Sequence, residues 1–264
     1  MTRLAWQTNK YLDLDGHRIP SSENLADESG WQAGIRRESA RSLRFKSIVW
    51  PAVKLRDDLF VDGFIEWVAG RWIREATNDN TSFLEIGCGD ASLSRYLASN
   101  ICYNAFDLSL SEFHLRRLFR RRPEANIAIA SVTDIPLESN SVSLIVSTQV
   151  LEYVQRINRA LDEIRRVATP GAKFICSIGN DFSRKYYSAK RRVYTPHRGH
   201  VNFWTYSGFI DFLAGYGFRL LEGQMRGVWI PLRSRLVHTS HALPIRAREE
   251  VDNSHFLFLF QLDK

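Results

Sequence analysis

The stretch Glu85-Ile86-Gly87-Cys88-Gly89-Asp90-Ala91 decides the fold. A short apolar run with strand character, Ser82-Phe83-Leu84-Glu85-Ile86, leads into it, and a segment of helical pattern at 92–98 follows. Glycines where a strand ends allow a tight turn and let a ligand lie close against the backbone. A turn of this kind between strand and helix opens a βα unit whose strand tips hold a nucleotide.

Downstream, the same rhythm repeats. Tyr103-Asn104-Ala105-Phe106 reads as a second strand, stopped by Asp107, and a helix over 111–121 ends at Pro123. Ile127-Ala128-Ile129-Ala130 is a third strand, and the β-branched run at 142–147 a fourth. A helix over 157–167 puts Leu161, Ile164 and Val167 on one face, Thr169-Pro170-Gly171 turns the chain, and 172–178 is a fifth strand. Strands separated by helices of this length imply a parallel sheet covered on both faces. The ending breaks the rhythm: a helix over 206–216 closing at Gly217, a sixth strand over 218–224, and a seventh over 255–262. Two late strands without a crossover helix predict an antiparallel pair. The expected fold is α/β and Rossmann-like, with seven mostly parallel strands, helices on both faces and an antiparallel strand near the C-terminus.

Upstream, residues 1–78 read as a loop-and-helix extension covering the core. Asp13-Leu14-Asp15-Gly16 and Pro20-Ser21-Ser22-Glu23-Asn24 are turn-forming. Leu43, Ile48, Val49, Leu59, Phe60, Phe64, Ile65, Val68 and Ile73 then recur at helical spacing, giving two or three added N-terminal helices. Residues 79–264 read as one α/β domain, with a lid at 180–203 and an insertion at 225–254.

Two acids extend the meaning of the glycine turn. Asp107, at the end of the second strand, is placed to accept hydrogen bonds from both ribose hydroxyls of an adenosine ligand. Asp134, in the loop after the third strand, can accept from the exocyclic amine of adenine. A nicotinamide enzyme would prefer Gly-x-Gly-x-x-Gly. Ser92 stands at the third glycine's place, Glu85 precedes the first glycine by two positions, and no second domain follows to carry a hydride acceptor.

Charge narrows the partners. The chain has 36 Lys+Arg against 29 Asp+Glu, a net +7, which favours anionic partners. Arg116, Arg117, Arg120, Arg121 and Arg122 crowd one stretch, and Arg184, Lys185, Lys190, Arg191, Arg192 and Arg198 another. Hydrophobic residues at 44% and charged residues at 25% exclude global disorder. No run approaches the ~18 apolar residues of a membrane span, and the N-terminus lacks a signal-peptide core. Cys88, Cys102 and Cys176 have no metal-knuckle spacing and read as buried, reduced thiols in a cytoplasmic protein; no residue spacing points to a metal.

At this point the chain resembles the class I S-adenosylmethionine-dependent methyltransferases, in particular their small-molecule, type 11-like branch. The matching residues are Glu85-Ile86-Gly87-Cys88-Gly89-Asp90, Asp107, Thr133-Asp134-Ile135-Pro136-Leu137, Val150-Leu151-Glu152-Tyr153-Val154, and Ala160-Leu161-Asp162-Glu163-Ile164-Arg165-Arg166-Val167 running into Pro170-Gly171. His200-Val201-Asn202-Phe203-Trp204-Thr205 before the late helix also fits. The chain departs from the family at Ala91, where a third glycine is usual, at Ser141 and Ser143, which replace common acids, and at Tyr153, where a histidine is common.

The resemblance implies S-adenosylmethionine as cofactor and a set of residue roles. Glu85 would anchor the methionine part, with Gly87, Cys88 and Gly89 giving it backbone access. Asp107 and Leu108 would hold the ribose side, and Thr133, Asp134 and Ile135 the adenine side. Gln149 would lie beside the methyl group. A hydroxyl acceptor also needs a general base. His200, His197 and Tyr153 are the candidates, with a satisfied core histidine as the bland reading of His200. The expected acceptor is an anionic small molecule or glycan, methylated on oxygen. Two other readings are an RNA methyltransferase gripping phosphates with its arginines and a non-catalytic binding protein. Trp31, Trp50, Trp67 and Trp72 cover the core in the first reading and pair two chains into a homodimer in a second.

Overall fold

A computed structural model describes residues 3–8, 10–14, 17–21, 62–110, 112–183, 187–188, 193–194, 199–233, 238–243, 248 and 250–264. Its strands are β1 (Lys10–Leu14), β2 (His17–Ser21), β3 (Phe83–Ile86), β4 (Asn104–Asp107), β5 (Asn126–Ile129), β6 (Val142–Thr148), β7 (Ala168–Gly179), β8 (Tyr187–Ser188), β9 (Val193–Tyr194), β10 (Phe218–Arg233), β11 (His238–Leu243) and β12 (Asn253–Leu262). The α-helices are α1 (Asp62–Ala76), α2 (Glu112–Arg121), α3 (Ile157–Val167) and α4 (Tyr206–Ala214).

The seven strands expected from sequence are β3 to β7, β10 and β12, and they lie side by side in the order β5-β4-β3-β6-β7-β12-β10. The first five are parallel, and β12 runs antiparallel to both its neighbours. Three further strands widen the sheet to ten. One is β11, the return of β10 inside the expected insertion. The other two are β1 and β2, an antiparallel pair joined to β5 through Ser21 and Ile129. The stretch read as a turn-rich loop is therefore in part an edge hairpin. Pro20 and the charged residues around it mask its strand character, as is usual at a sheet edge.

Side-chain alternation along the strands sorts two cores. Phe83, Ala105, Ile127, Leu144 and Val146 face α1 and α2. Leu84, Ile86, Phe106, Ile145 and Phe174 face α3 and α4. In α1, Phe64, Ile65, Val68, Ala69, Trp72 and Ile73 are buried at the spacing that lays one stripe on a sheet. In α3, Ala160, Leu161, Ile164 and Val167 do the same. Helix α4 starts at Thr205, whose hydroxyl accepts from Gly208 N at 3.1 Å, and buries Phe209 and Leu213. Of the expected N-terminal helices α1 is present; Trp31 and Trp50 lie outside the described residues.

The helix expected at 92–98 is a 3-10 turn, Ser92–Tyr96. Its end is held by Arg122, which is buried although it belongs to the basic stretch at 116–122. The guanidinium donates to Ser94 O at 2.9 Å, to Ala98 O at 3.2 Å and to Leu97 O. Carbonyls that a longer helix would use are taken by this one side chain.

Candidate active site

The carboxyl ends of β3, β4, β5 and β6 meet along one edge, and the glycine turn sits at their centre. Gly87, Gly89 and Ala91 all have left-handed backbone, at φ 71, 50 and 56°. A Cβ on Gly87 would stand 2.3 Å from Val150 Cγ2, whereas one on Gly89 would meet nothing within 4 Å. Gly87 thus packs the turn against the loop after β6, and Gly89 leaves a bare backbone face. The N–H groups of Gly87 and Cys88 donate to Phe106 O at 2.9 and 3.2 Å, tying the turn to β4. The Asp107 carboxylate completes the tie, accepting from Gly89 N at 2.9 Å and from Ser109 N at 3.2 Å.

Two cavities adjoin here. One, of about 270 Å³, is lined by Ile86, Phe106, Asp107, Leu108, Val132 and Tyr153 among others. The second, of about 260 Å³, is lined by Glu85, Cys88, Gly89, Asp90 and Thr148 among others. Gly87 and Gln149 border both. Together the two fall in the ~300–1,000 Å³ range of small-molecule sites. Gln149 has φ 54°, with its N–H donating to Ser177 O at 2.9 Å. Left-handed backbone at a residue with a side chain is strained, and strain of this kind gathers at ligand sites.

Glu85 is 3% exposed, and the Tyr103 hydroxyl donates to its Oε2 at 2.6 Å. Burial pushes its carboxyl up to about 8, and the nearby charges of Asp90 and Asp107 add to this against the Tyr103 bond. Burial also holds the Cys88 thiol well above its ordinary value, so this cavity-lining sulfur is a neutral thiol.

Thr133, Asp134 and Ile135 line neither cavity; their neighbour Val132 does. Thr133 is buried and hydrogen-bonds Ser131 Oγ at 2.8 Å through its hydroxyl, and Ile135 lies in the core. Helix α3 clamps this loop. Arg159 donates to Thr133 O at 2.8 Å, Glu163 accepts from Ile135 N at 2.9 Å, and Arg166 donates to Ile135 O and Leu137 O at 2.7 Å. Asp134 is half-buried, with the Arg166 charge nearby.

The expected bases fall differently. His197 lies outside the described residues, as do all the basic residues between 184 and 198. Tyr153 lines the larger cavity. His200 stands behind it, ring edge to face at 4.6 Å, and lines neither cavity. Its Nδ1 lies 2.6 Å from Asp181 Oδ2, both side chains being nearly shut off from solvent. Glu152, 2% exposed, adjoins the pair, and burial pushes its carboxyl up to about 7. The segment carrying His200 is fixed here: Val201 N and Asn202 N donate to Glu152 O at 2.8 and 3.1 Å, and the Asn202 amide to Leu151 O and Val154 O at 3.0 and 2.7 Å. Sequence reasoning missed Asp181, which carries no local signal, and passed over Glu152, although it stood inside a matching stretch.

With this geometry in view, comparisons with known proteins agree on the core. Residues 84–176 match the family described as a methyltransferase domain. A ubiquinone/menaquinone biosynthesis C-methyltransferase of Rickettsia bellii is 28% identical over 135 residues, 46% of this chain and 54% of that protein. A mitochondrial arginine-hydroxylase of Mus musculus is 27% identical over 139 residues, 51% of this chain and 40% of that protein. The chain thus spans about half the length of these curated relatives. Among solved structures, the 1,6-didemethyltoxoflavin-N1-methyltransferase of Burkholderia thailandensis aligns over 97% of this chain and 99% of its own, with a TM-score of 0.58 and 15% identity. No helix among the described residues is long and apolar enough to cross a membrane. Residues 84–176 thus match a methyltransferase domain, and the chain has the class I S-adenosylmethionine-dependent methyltransferase fold.

Proposed function

We propose that the protein binds S-adenosylmethionine and transfers its methyl group to an oxygen of a small-molecule or glycan acceptor. One observation carries this reading: Asp107, with both carboxylate oxygens oriented by backbone N–H groups, stands beside the bare face of Gly89 where two cavities adjoin. An elongated ligand with a ribose in the middle fits that arrangement, and its donors match the chemistry of the acids around it.

When bound, S-adenosylmethionine supplies a methyl group already activated by its sulfonium sulfur. Asp107 accepts from the two ribose hydroxyls. The apolar cavity beyond it, between Leu108, Val132 and Val150, takes the adenine. Glu85 faces the ammonium of the methionine part. Gln149, bordering both cavities, lies beside the methyl position, and Tyr153 walls the acceptor side. Alignment of donor and acceptor and exclusion of water are the main work of such a site. The basic residues between 184 and 198 favour an anionic acceptor.

The hydroxylase relative motivates a second reading, since a shared fold can host a different reaction. Protein incubated with methyl-tritiated S-adenosylmethionine and a small-molecule extract of its source cells separates the two. The methyltransferase reading expects label in a small-molecule product, lost in Asp107→Ala. Products without label, gaining oxygen instead, would favour the hydroxylase.

A further inference from the structure

A second cleft lies away from the strand tips, where the hairpin β1–β2 meets the amino end of β5. It measures about 570 Å³, more than either cavity of the candidate active site, and shares no lining residue with them. Arg3 and Arg18 bring two guanidiniums to it, and Trp6, Tyr11 and Phe119 bring three aromatic rings. The Arg18 guanidinium lies over the Tyr11 ring, 4.0 Å from its centre. The Trp6 indole N–H donates to Asn126 Oδ1 at 2.8 Å, which fixes the ring. The wall that carries Arg3 and Trp6 is gripped from inside the sheet. Leu4 N donates to Asn104 Oδ1 at 2.9 Å, Leu4 O accepts from the Asn126 amide at 2.7 Å, and both asparagines are buried. Buried amides are costly unless paired, and here their pairing holds the segment in place. No carboxylate lines the cleft among the described residues. Glu124, next to the lining residue Pro123, is paired with Arg122 at 3.3 Å, and Asp13 is the register partner of Arg18. Two arginines against that one acid leave the wall positive, and the exposed Arg120 and Arg121 at the end of α2 add to the potential.

We propose that this cleft is a second ligand site, separate from the cofactor and acceptor cavities, for a small molecule that joins a planar ring to a phosphate group. The inference does not depend on the methyltransferase reading. A phosphate monoester carries close to two negative charges at neutral pH, which the two guanidiniums match. Arginine offers several N–H donors in a planar fork suited to phosphate oxygens. Contact with the face of Tyr11 leaves those donors for the anion while the ring stabilises the cation. Tyr11 is exposed and Phe119 half-buried, so aromatic surface remains for the ligand's ring beside the fixed indole of Trp6. The reaction cavities open at the carboxyl ends of the parallel strands, whereas this cleft sits at the amino end of β5. A molecule bound here is therefore not the methyl acceptor. The two places adjoin through a ring contact, Trp6 edge to face on Phe106 at 6.5 Å, and Phe106 lines the larger active-site cavity.

The test is an NMR titration of the full, nitrogen-15-labelled chain with phenyl phosphate at neutral pH. The Trp6 indole N–H and Arg18 Nε report from the cleft, and the Gly87 and Gly89 amides from the turn at the active site. We expect saturable shifts at Trp6 and Arg18 with Gly87 and Gly89 unmoved. Inorganic phosphate and phenol, the two halves of the probe, should each bind about tenfold more weakly or worse. The double variant Arg3→Gln, Arg18→Gln should lose about tenfold or more in affinity for phenyl phosphate, the effect of removing one hydrogen bond to a charged group or more. Both arginines are exposed, so this variant should melt with the wild type. No shift at Trp6 with millimolar phenyl phosphate would overturn the site, as would shifts at Gly87 and Gly89 in its place. Either half binding within that factor of the whole, or a folded double variant doing so, would overturn the assigned ligand class. The comparison of the probe with its halves uses the wild type alone, so it decides the matter even if the variant does not fold.

Discussion

The Tyr103 hydroxyl donates to Glu85 Oε2 at 2.6 Å inside the sheet, so the acid at the tip of β3 is fixed from below while its cavity side stays open to a ligand. Without a cation beside it, this carboxyl is pushed up to about 8 and is largely protonated at neutral pH. A ligand ammonium favours the charged form. Binding of S-adenosylmethionine should therefore release a proton at pH 7, and affinity should rise as pH climbs toward 8. Calorimetry in two buffers of different ionisation enthalpy measures the proton count. Glu85→Gln should bind more weakly and lose the pH dependence.

The same shift fixes a stability trend. Because the folded value lies above the ordinary carboxylate value, Glu85 contributes stability that is full in acid and lost as pH rises through about 8. Glu152 adds a loss of the same sign, complete near 7. The melting temperature of the ligand-free protein should fall between about pH 5 and 8, and more gently in Glu85→Gln.

Gly87 is constrained twice, by φ 71° and by Val150 Cγ2, 2.3 Å from where a Cβ would stand. Gly87→Ala should destabilise the protein by about 2–4 kcal/mol from backbone strain plus overpacking. Val150→Ala in the same chain should recover the packing part and leave about 1–2 kcal/mol of strain. Urea unfolding of the two single variants and the double variant gives the coupling.

Ala91 takes a left-handed φ of 56° with a buried methyl. An L-residue pays roughly 1–2 kcal/mol there, offset in part by the extra freedom glycine gains on unfolding. Ala91→Gly should be stabilising by up to about 1 kcal/mol, visible as a raised urea midpoint.

The parallel strands were legible because each is a short apolar run closed by a turn signal; β3, with its Gly87 and Gly89, marked the site as well. The hairpin β1–β2 was not, since Pro20 and charged neighbours hide an edge strand that gains its pairing from β5. Arg122 read as one more cation in a basic cluster. Its burial depends on the 3-10 turn ending at Tyr96, which follows from tertiary packing rather than local pattern. His200 stood out as a histidine in a loop, but its place behind Tyr153 and its pairing with Asp181 need a contact across nineteen positions. Thr133 and Ile135 sat in a matching motif, yet α3 clamps their backbone groups, while the Thr133 hydroxyl pairs with Ser131 and the Ile135 side chain lies in the core.

The central claim is that an adenosyl ligand lies across the tips of β3 and β4 with its ribose on Asp107. Isothermal titration of the wild type and of Asp107→Ala with S-adenosylmethionine tests it most directly. Losing hydrogen bonds to a charged group costs about 1.5–3 kcal/mol each, roughly ten- to a hundredfold in Kd. We expect saturable one-site binding by the wild type and a loss of at least tenfold in the variant. No heat of binding to the wild type at high micromolar ligand, or equal affinity in Asp107→Ala, would contradict the account.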